Sequence, residues 1–319
     1  MYTSSLNKIP SLCIMGPTAT GKTDLAITLA NHIPCEIISA DSAMVYRRLD
    51  IGTAKPSPEI RQAIPHHLID ICEANEIYTA GKFCRDTTAL IKAIHMRGKI
   101  PLIVGGTMLY FHLLQNGMAN LPPRNDDIRM KLTQQAQKKG WQTLHQMLEN
   151  IDSKTAQKLH PNDAQRIQRA LEIYYITGKT PSELYAEQKR QSPFYYHSII
   201  LLPLSKASLH ERIKARFEKM LSSGFVHEVD TLLKQKGLSS ELPALRTVGY
   251  RQIGQYLQGY YNYETMVEKA LLATKHLAKH QLTWLKRWET ASTFVRCDND
   301  TEKLIQKILD QVRNIQHKE

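Results

Sequence analysis

The run Gly16-Pro17-Thr18-Ala19-Thr20-Gly21-Lys22-Thr23 fits the phosphate-binding loop pattern Gly-x-x-x-x-Gly-Lys-[Ser/Thr] at every fixed position. Its glycines let a backbone wrap an anion closely, and the helix expected after it offers unpaired N–H groups and a positive dipole end. Lys22 adds a point charge, and the Thr23 hydroxyl is a ligand type for Mg²⁺. The loop therefore reads as a grip on a polyphosphate or pyrophosphate. Nothing in it says which one, or what else reacts.

Two more polar side chains join it by position. Cys35-Glu36-Ile37-Ile38-Ser39-Ala40 reads as a strand ending on Asp41, and Ile100-Pro101-Leu102-Ile103-Val104 as one ending at Gly105-Gly106-Thr107. In parallel sheets ligands gather at the C-terminal ends of strands, which puts Asp41 and Thr107 beside the loop. Asp41 has three roles open to it: a carboxylate holding Mg²⁺ through water, a general base on an attacking group, or a cap of the next turn. His66-His67 invites a metal reading, but adjacent residues on an extended segment face opposite ways, so structural hydrogen bonding is the expectation there.

The elements that must position these groups follow from periodicity. Ser11–Met15 is a short buried strand, Asp24–Ala30 its following helix, His67–Ile71 a further strand, and Tyr78 opens an amphipathic helix running to Met96. Asn120–Asp126 is a turn-rich linker, and the pattern is then helical to about Pro193. Within that stretch Asn162 or Asp163 caps a helix that buries Ile167, Ala170, Leu171 and Tyr174, exposes Gln165, Arg166 and Arg169, and stops at Gly178. Tyr196–Leu202 is β-like again, as if the sheet resumed. The expected architecture is α/β: a P-loop NTPase-like parallel-sheet core over 1–115 and 196–319, with an inserted all-helical domain at 116–195.

Composition narrows the partner. Hydrophobic residues make up 42% and charged residues 23% of 319, an ordinary globular balance with no run long enough to span a membrane. The N-terminus has no signal-type apolar run, and five scattered cysteines (Cys13, Cys35, Cys72, Cys84, Cys297) read as reduced thiols, so a cytoplasmic, membrane-free monomer without a zinc site is expected. The net charge of +12 suits a partner carrying many phosphates.

The basic residues are placed in keeping with that. Ser208 should start a helix with Arg212 and Arg216 on one face, which suits a phosphate clamp or a merely solvated face. Leu245-Arg246-Thr247-Val248-Gly249-Tyr250-Arg251 mixes arginine, aromatic and glycine. On a helical projection of 275–288, Lys275, Lys279 and Lys286 share one arc and His276, His280 and Arg287 the next, while Leu277, Ala278, Leu285 and Trp288 lie opposite, toward a core.

Three function classes stay open on these residues alone: a small P-loop kinase using ATP with Asp41 or Asp70 serving magnesium, a transferase that holds a diphosphate leaving group and alkylates a nucleic acid, and an RNA-binding NTPase or scaffold. The order of motifs then bears on the choice. Gly16–Thr23, Asp41-Ser42-Ala43-Met44-Val45-Tyr46, Leu49–Pro56, Val104-Gly105-Gly106-Thr107, the Asn162–Arg169 run, Val248-Gly249-Tyr250-Arg251 and Gln281-Leu282-Thr283-Trp284 together resemble bacterial tRNA dimethylallyltransferases over roughly residues 10–290.

The resemblance implies transfer of a dimethylallyl group from dimethylallyl diphosphate to N6 of adenine 37 in the tRNA anticodon loop, with Mg²⁺ held through Thr23. It implies Asp41 as the base, with Thr18, Thr107 and Arg216 catalytic, and Gly16, Pro17, Thr18, Ala19, Thr20, Gly21, Lys22 and Thr23 binding the diphosphate or a nucleotide. It further implies tRNA contacts at Asp41, Ser42, Ala43 and Met44, at Thr107 and Arg129 near the reacting base, and at Gln165, Arg166, Ile167, Gln168 and Arg169 on the insertion. The same holds for Arg246, Thr247, Val248, Gly249, Tyr250 and Arg251, and for Lys279, His280, Gln281, Leu282, Thr283, Trp284, Leu285 and Lys286. This chain departs from the family where Lys275, His276, His280 and Lys286 take positions rich in arginine, and where Arg48 stands for a usual glycine. Histidine contacts to phosphate weaken as pH rises.

Overall fold

A computed structural model describes residues 9–187, 192–235, 242–288 and 292–296 and, near the C-terminus, 302, 305, 306 and 308–310. It resolves into two compact units, residues 1–115 with 193–319, and residues 116–192.

The first unit alternates strand and helix: β1 (Ile9–Met15), α1 (Lys22–Ala30), β2 (Cys35–Ala40), α2 (Pro58–Ala63), β3 (His66–His67), α3 (Ala80–Met96), β4 (Ile100–Gly105) and α4 (Met108–Asn116). The second unit holds α5 (Asp126–Lys139), α6 (Trp141–Ile151), α7 (Ser153–Ala156), α8 (Ala164–Thr177) and α9 (Pro181–Ala186). The chain then returns to the first through β5 (Phe194–Leu202), α10 (Lys206–Ser222), α11 (Phe225–Leu233), α12 (Tyr250–Leu257), α13 (Tyr263–Leu285) and β6 (Ser292–Arg296).

The six strands form one parallel sheet in the order β3-β2-β4-β1-β5-β6. Strand β1 is central, pairing Ile14 with Val104 on one side and Ile199 on the other. Its side chains alternate between faces: Cys13 and Met15 enter one apolar cluster with Ile38, Ile103 and Ile200, while Leu12 and Ile14 enter another with Ile37, Leu102 and Ile199. A strand covered on both faces is a near-continuous apolar run, which is why these segments are legible without clear alternation. The parallel α/β core expected from the sequence is the fold found.

Three local expectations change. The strand drawn over His67–Ile71 is only His66–His67, because Leu68 and Asp70 take left-handed φ values of 62° and 56°. Lys55 and Arg61 both bind the Asp70 carboxylate and hold that turn, a tertiary constraint that the local sequence does not carry. Helix α10 begins two residues before Ser208: Ser205 is the cap, and its hydroxyl accepts the Ser208 N–H at 3.0 Å. The resumed strand begins at Phe194 rather than Tyr196. The histidine pair does serve structure, His66 against the Ile64 carbonyl and His67 against Glu36.

The helical unit has its own core, where Leu132, Leu144, Leu148, Ile167 and Leu171 are each at most 2% exposed. Asp163 caps α8 and Gly178 ends it. No helix among the described residues is long and apolar enough to cross a membrane. Cys13, Cys35, Cys72 and Cys84 are unpaired, and burial pushes the Cys13 and Cys35 thiols up to about 12; Cys297 lies outside the described residues.

Candidate active site

Strand β1 ends at Met15 and the chain enters the glycine-flanked loop. Gly21 precedes α1 at φ +82°, a left-handed conformation that glycine adopts without a steric penalty, and Ala19 takes φ +63°. Two side chains fold back on the loop's own backbone: the Thr20 hydroxyl donates to the Pro17 carbonyl at 2.8 Å and the Lys22 ammonium to the same oxygen at 2.7 Å. A third anchor comes from far along the chain. Gln281 on α13, 8% exposed, accepts the Thr18 N–H at 2.9 Å and donates through Nε2 to the Gly106 carbonyl at 2.8 Å. A Cβ at residue 106 would stand 2.5 Å from that Nε2, so glycine there is what admits the amide.

The sheet order β2-β4-β1 sets the ends of three strands side by side. Asp41 follows β2 and forms a tight turn in which its Oδ1 accepts the Ala43 N–H at 2.8 Å. The other carboxylate oxygen has no hydrogen-bond partner among the described residues. Thr107 follows β4, and its hydroxyl accepts the Ser42 N–H at 3.1 Å. Thr107 thereby holds Ser42, the residue after Asp41, and Gln281 ties neighbouring Gly106 to Thr18 in the glycine-flanked loop.

A cleft of about 470 Å³ opens over these loops. Its lining includes polar Thr18, Asp41, Thr107 and Arg216 and apolar Met108, Ile213, Phe217, Met220, Leu277 and Trp284. Half-buried Arg216, on α10, donates to the Thr53 carbonyl at 3.3 Å. Burial pulls its guanidinium below the usual arginine range, against the opposing pull of the Asp41 and Asp24 carboxylates. One turn earlier Arg212 brings its Nη2 to 3.5 Å from where a Cβ on Gly21 would stand. So α10 carries one guanidinium toward the cleft and another to the rim of the loop.

The Mg²⁺ expected from the sequence would call for hard oxygen ligands. The Thr23 hydroxyl has no hydrogen-bond partner among the described residues, and no cluster of His, Cys, Asp and Glu there suits a metal. Mg²⁺ commonly takes one or two protein oxygens and completes its shell with phosphate and water, so Thr23 fits that role.

The segments expected at RNA divide by burial. Arg246, Thr247, Val248 and Gly249 line the cleft, as do His280 and Trp284, and Arg251, Lys279, Thr283 and Lys286 are exposed. Ser42 is exposed, Met44 and Leu282 are half-buried, and Ala43 is buried at the cleft wall. Ile167, Tyr250 and Leu285 are at most 1% exposed, so their side chains serve the cores rather than a partner surface, and Gln281 is spent on the loop. The helix projection holds for Ala278 and Leu285, each 1% exposed, and for Trp288, which packs against the main core, but not for Leu277, which is 38% exposed and lines the cleft.

In the helical unit Gln165 and Arg166 are exposed. Arg129 and Arg169 instead converge on Glu172, whose buried carboxylate takes Arg129 Nε at 2.9 Å and Arg169 Nη1 at 2.8 Å. Gln168 donates to the Arg129 carbonyl. Arg48 sits at φ +66°, where glycine has no steric penalty, and shares Glu73 with Arg47. Reading the sequence missed the inward role of Gln281 and the apolar wall from α4 and α10; the one available signal was a glutamine lying on the buried stripe of α13.

Comparison with known proteins adds independent findings. Residues 44–288 match the family model described as IPP transferase. A protein of Coxiella burnetii (strain RSA 493) named tRNA dimethylallyltransferase is 50% identical over 313 residues, 97% of this chain and 99% of its own. One of the same name from Legionella pneumophila (strain Corby) is 49% identical over 309 residues, 96% and 98% of the two chains. Among solved structures, the tRNA isopentenylpyrophosphate transferase of Bacillus halodurans superposes with a TM-score of 0.70 at 33% identity, over 96% of both chains. A eukaryotic dimethylallyltransferase captured acting on tRNA gives a TM-score of 0.82 at 28% identity, over 96% of this chain and 80% of the other.

Proposed function

The chain belongs to the IPP transferase family and transfers dimethylallyl groups to tRNA, and we propose that the cleft walled by Thr18, Asp41, Thr107 and Arg216 is where it does so. The donor is dimethylallyl diphosphate and the acceptor is N6 of adenine 37 in the anticodon loop. The observation that carries this reading is that one cleft is lined by Thr18 and Ala19 of the candidate anion loop, by Asp41 with a carboxylate oxygen that has no partner among the described residues, and by several apolar side chains. Apolar side chains in the lining suit a prenyl tail. The kinase and NTPase readings left open by the loop alone are not favoured.

The exocyclic amine of adenine is a weak nucleophile because its lone pair is delocalised into the ring. The Asp41 turn commits Oδ1 to the Ala43 N–H and leaves Oδ2 to take a proton from N6 as the new bond forms. The C–N bond forms at the allylic carbon, the C–O bond breaks, and the electron pair goes to the bridging oxygen of the diphosphate. Thr18, the loop N–H groups, Lys22 and Arg216 hold that growing charge. Mg²⁺, bound through Thr23, would neutralise part of the diphosphate charge. Adenine must leave the loop stack to reach the cleft. The basic, exposed Arg251, Lys279 and Lys286 and the Trp284 ring suit a single-stranded RNA partner.

The test is incubation with unmodified tRNA, dimethylallyl diphosphate and Mg²⁺, followed by nucleoside mass spectrometry. The expected product is N6-dimethylallyladenosine with release of diphosphate. Release of ADP or phosphate from ATP without a prenylated nucleoside would overturn the reading.

A further inference from the structure

Glu228, in the first turn of α11, does something the transfer reading gives no reason for. Its Oε2 accepts the backbone N–H groups of Asp50 at 3.0 Å and Ile51 at 2.7 Å. Its Oε1 accepts the Gly52 N–H at 3.2 Å and the Tyr250 hydroxyl at 2.6 Å. Three successive N–H groups turned to one side form an anion-binding concavity, and here the protein fills it with its own carboxylate. Burial, and then Glu228 itself, push the Tyr250 phenol far above its ordinary range, so that hydroxyl stays a donor. The loop is packed as well as bonded, since a Cβ on Gly52 would lie 2.2 Å from the Phe225 ring.

The next residue along that loop is Thr53, whose carbonyl receives Arg216 at 3.3 Å. This is the single hydrogen bond of the Arg216 guanidinium among the described residues. The direction in which Arg216 presents itself to the cleft therefore depends on where the 50–53 segment is held, and Glu228 holds it.

We propose that Glu228 is a positioning residue for the transfer reaction, fixing the 50–53 loop so that the Thr53 carbonyl aims Arg216 at the diphosphate. The inference rests on the role given to Arg216 above. A carboxylate is an acceptor on both oxygens and matches all four donors, whereas an amide matches them incompletely.

A double-mutant cycle tests this, with kcat/KM for dimethylallyl diphosphate as the readout and tRNA affinity measured in parallel. Glu228→Ala is expected to lower kcat/KM about tenfold in the native background and by less than about twofold when Arg216 is already alanine, with the Kd for tRNA unchanged. Glu228→Gln, which preserves volume, should show the same sub-additivity with a smaller loss and guards against a folding defect in the alanine variant; thermal melts accompany each. Equal losses in both backgrounds would mean that Glu228 acts on the fold and not through Arg216, and would overturn the proposal. So would full activity of both Glu228 variants. If Arg216→Ala alone kept normal kcat/KM, the role of Arg216 itself would fail, an outcome distinct from the other two.

Discussion

The side-chain oxygen of Gln281 accepts the backbone N–H of Thr18 at 2.9 Å across 263 residues of sequence. With its amide nitrogen on Gly106, this glutamine joins the phosphate loop, the end of β4 and the long basic helix at one point. The helix whose exposed lysines are proposed above to meet RNA thus also anchors the candidate anion loop.

Gln281→Leu should therefore act on the small substrate. It removes both hydrogen bonds and leaves the Gly106 carbonyl unpaired, at a cost of about 1–3 kcal/mol, and a loss of that size in the transition state is roughly five- to 150-fold in kcat/KM for dimethylallyl diphosphate. Steady-state kinetics with tRNA saturating would show it. An unchanged KM and kcat for the diphosphate would refute the bridging role.

Asp41→Asn keeps an oxygen to accept the Ala43 N–H, so the turn survives while the proton acceptor is lost. Transfer should fall by about 10²–10⁴, the range for a lost general base, with tRNA binding largely intact. Near-normal single-turnover rates would remove Asp41 from that role.

Arg212→Gln should raise KM for dimethylallyl diphosphate several-fold, because its guanidinium stands at the Gly21 rim of the loop. The expected change is about threefold to tenfold, with a parallel rise in the inhibition constant of inorganic diphosphate. Equal inhibition by diphosphate in both proteins would assign Arg212 to a solvated face.

Affinity for tRNA should fall steeply with salt, log K decreasing linearly with log salt concentration as phosphate contacts release counterions. Lys279→Ala and Lys286→Ala should each flatten that slope by about one unit. A salt-independent affinity would dispose of the basic helix as an RNA face.

Acid stability has a specific origin in Glu36, 5% exposed in its side chain and contacted by Arg97, Lys99 and His67. Hydrogen bonds from Arg97, outweighing burial, lower its carboxyl from 4.5 to about 2. A depressed folded pKa means that the stabilisation is complete above the unfolded value and drains away as pH falls from 4.5 toward 2. Allowing for solvent around Arg97 and Lys99, it amounts to on the order of 2 kcal/mol. Glu36→Gln should flatten the pH dependence of urea unfolding across that window, and an unaltered profile would contradict the pairing.

Much of this site is legible in one dimension because its parts are local. A phosphate loop is a contiguous motif whose backbone needs dictate its glycines, and parallel strands buried on both faces announce themselves as short apolar runs. Asp41 and Thr107 could be placed beside the loop from strand ends alone, since parallel topology sends those ends to one edge. Arg216 was singled out by helical spacing, but its partner Thr53 was not, because a carbonyl carries no sequence signal.

The sequence by itself determined the α/β class and pointed to a phosphate-rich partner, properties of local pattern and total charge, and it marked Gly16–Thr23 as the candidate anion loop. The helical projection of α13 put the right stripe toward the core at Ala278, Leu285 and Trp288, and the tertiary structure alone decided that Leu277 lines the cleft and that the polar Gln281 is buried on that stripe. It also decided that Arg129 and Arg169 share Glu172, and that His67–Ile71 turns instead of extending. For Gln281 with Thr18 and for Arg129 with Glu172 the deciding partner is distant in sequence, and the energy of burying and pairing polar groups overrides local preference.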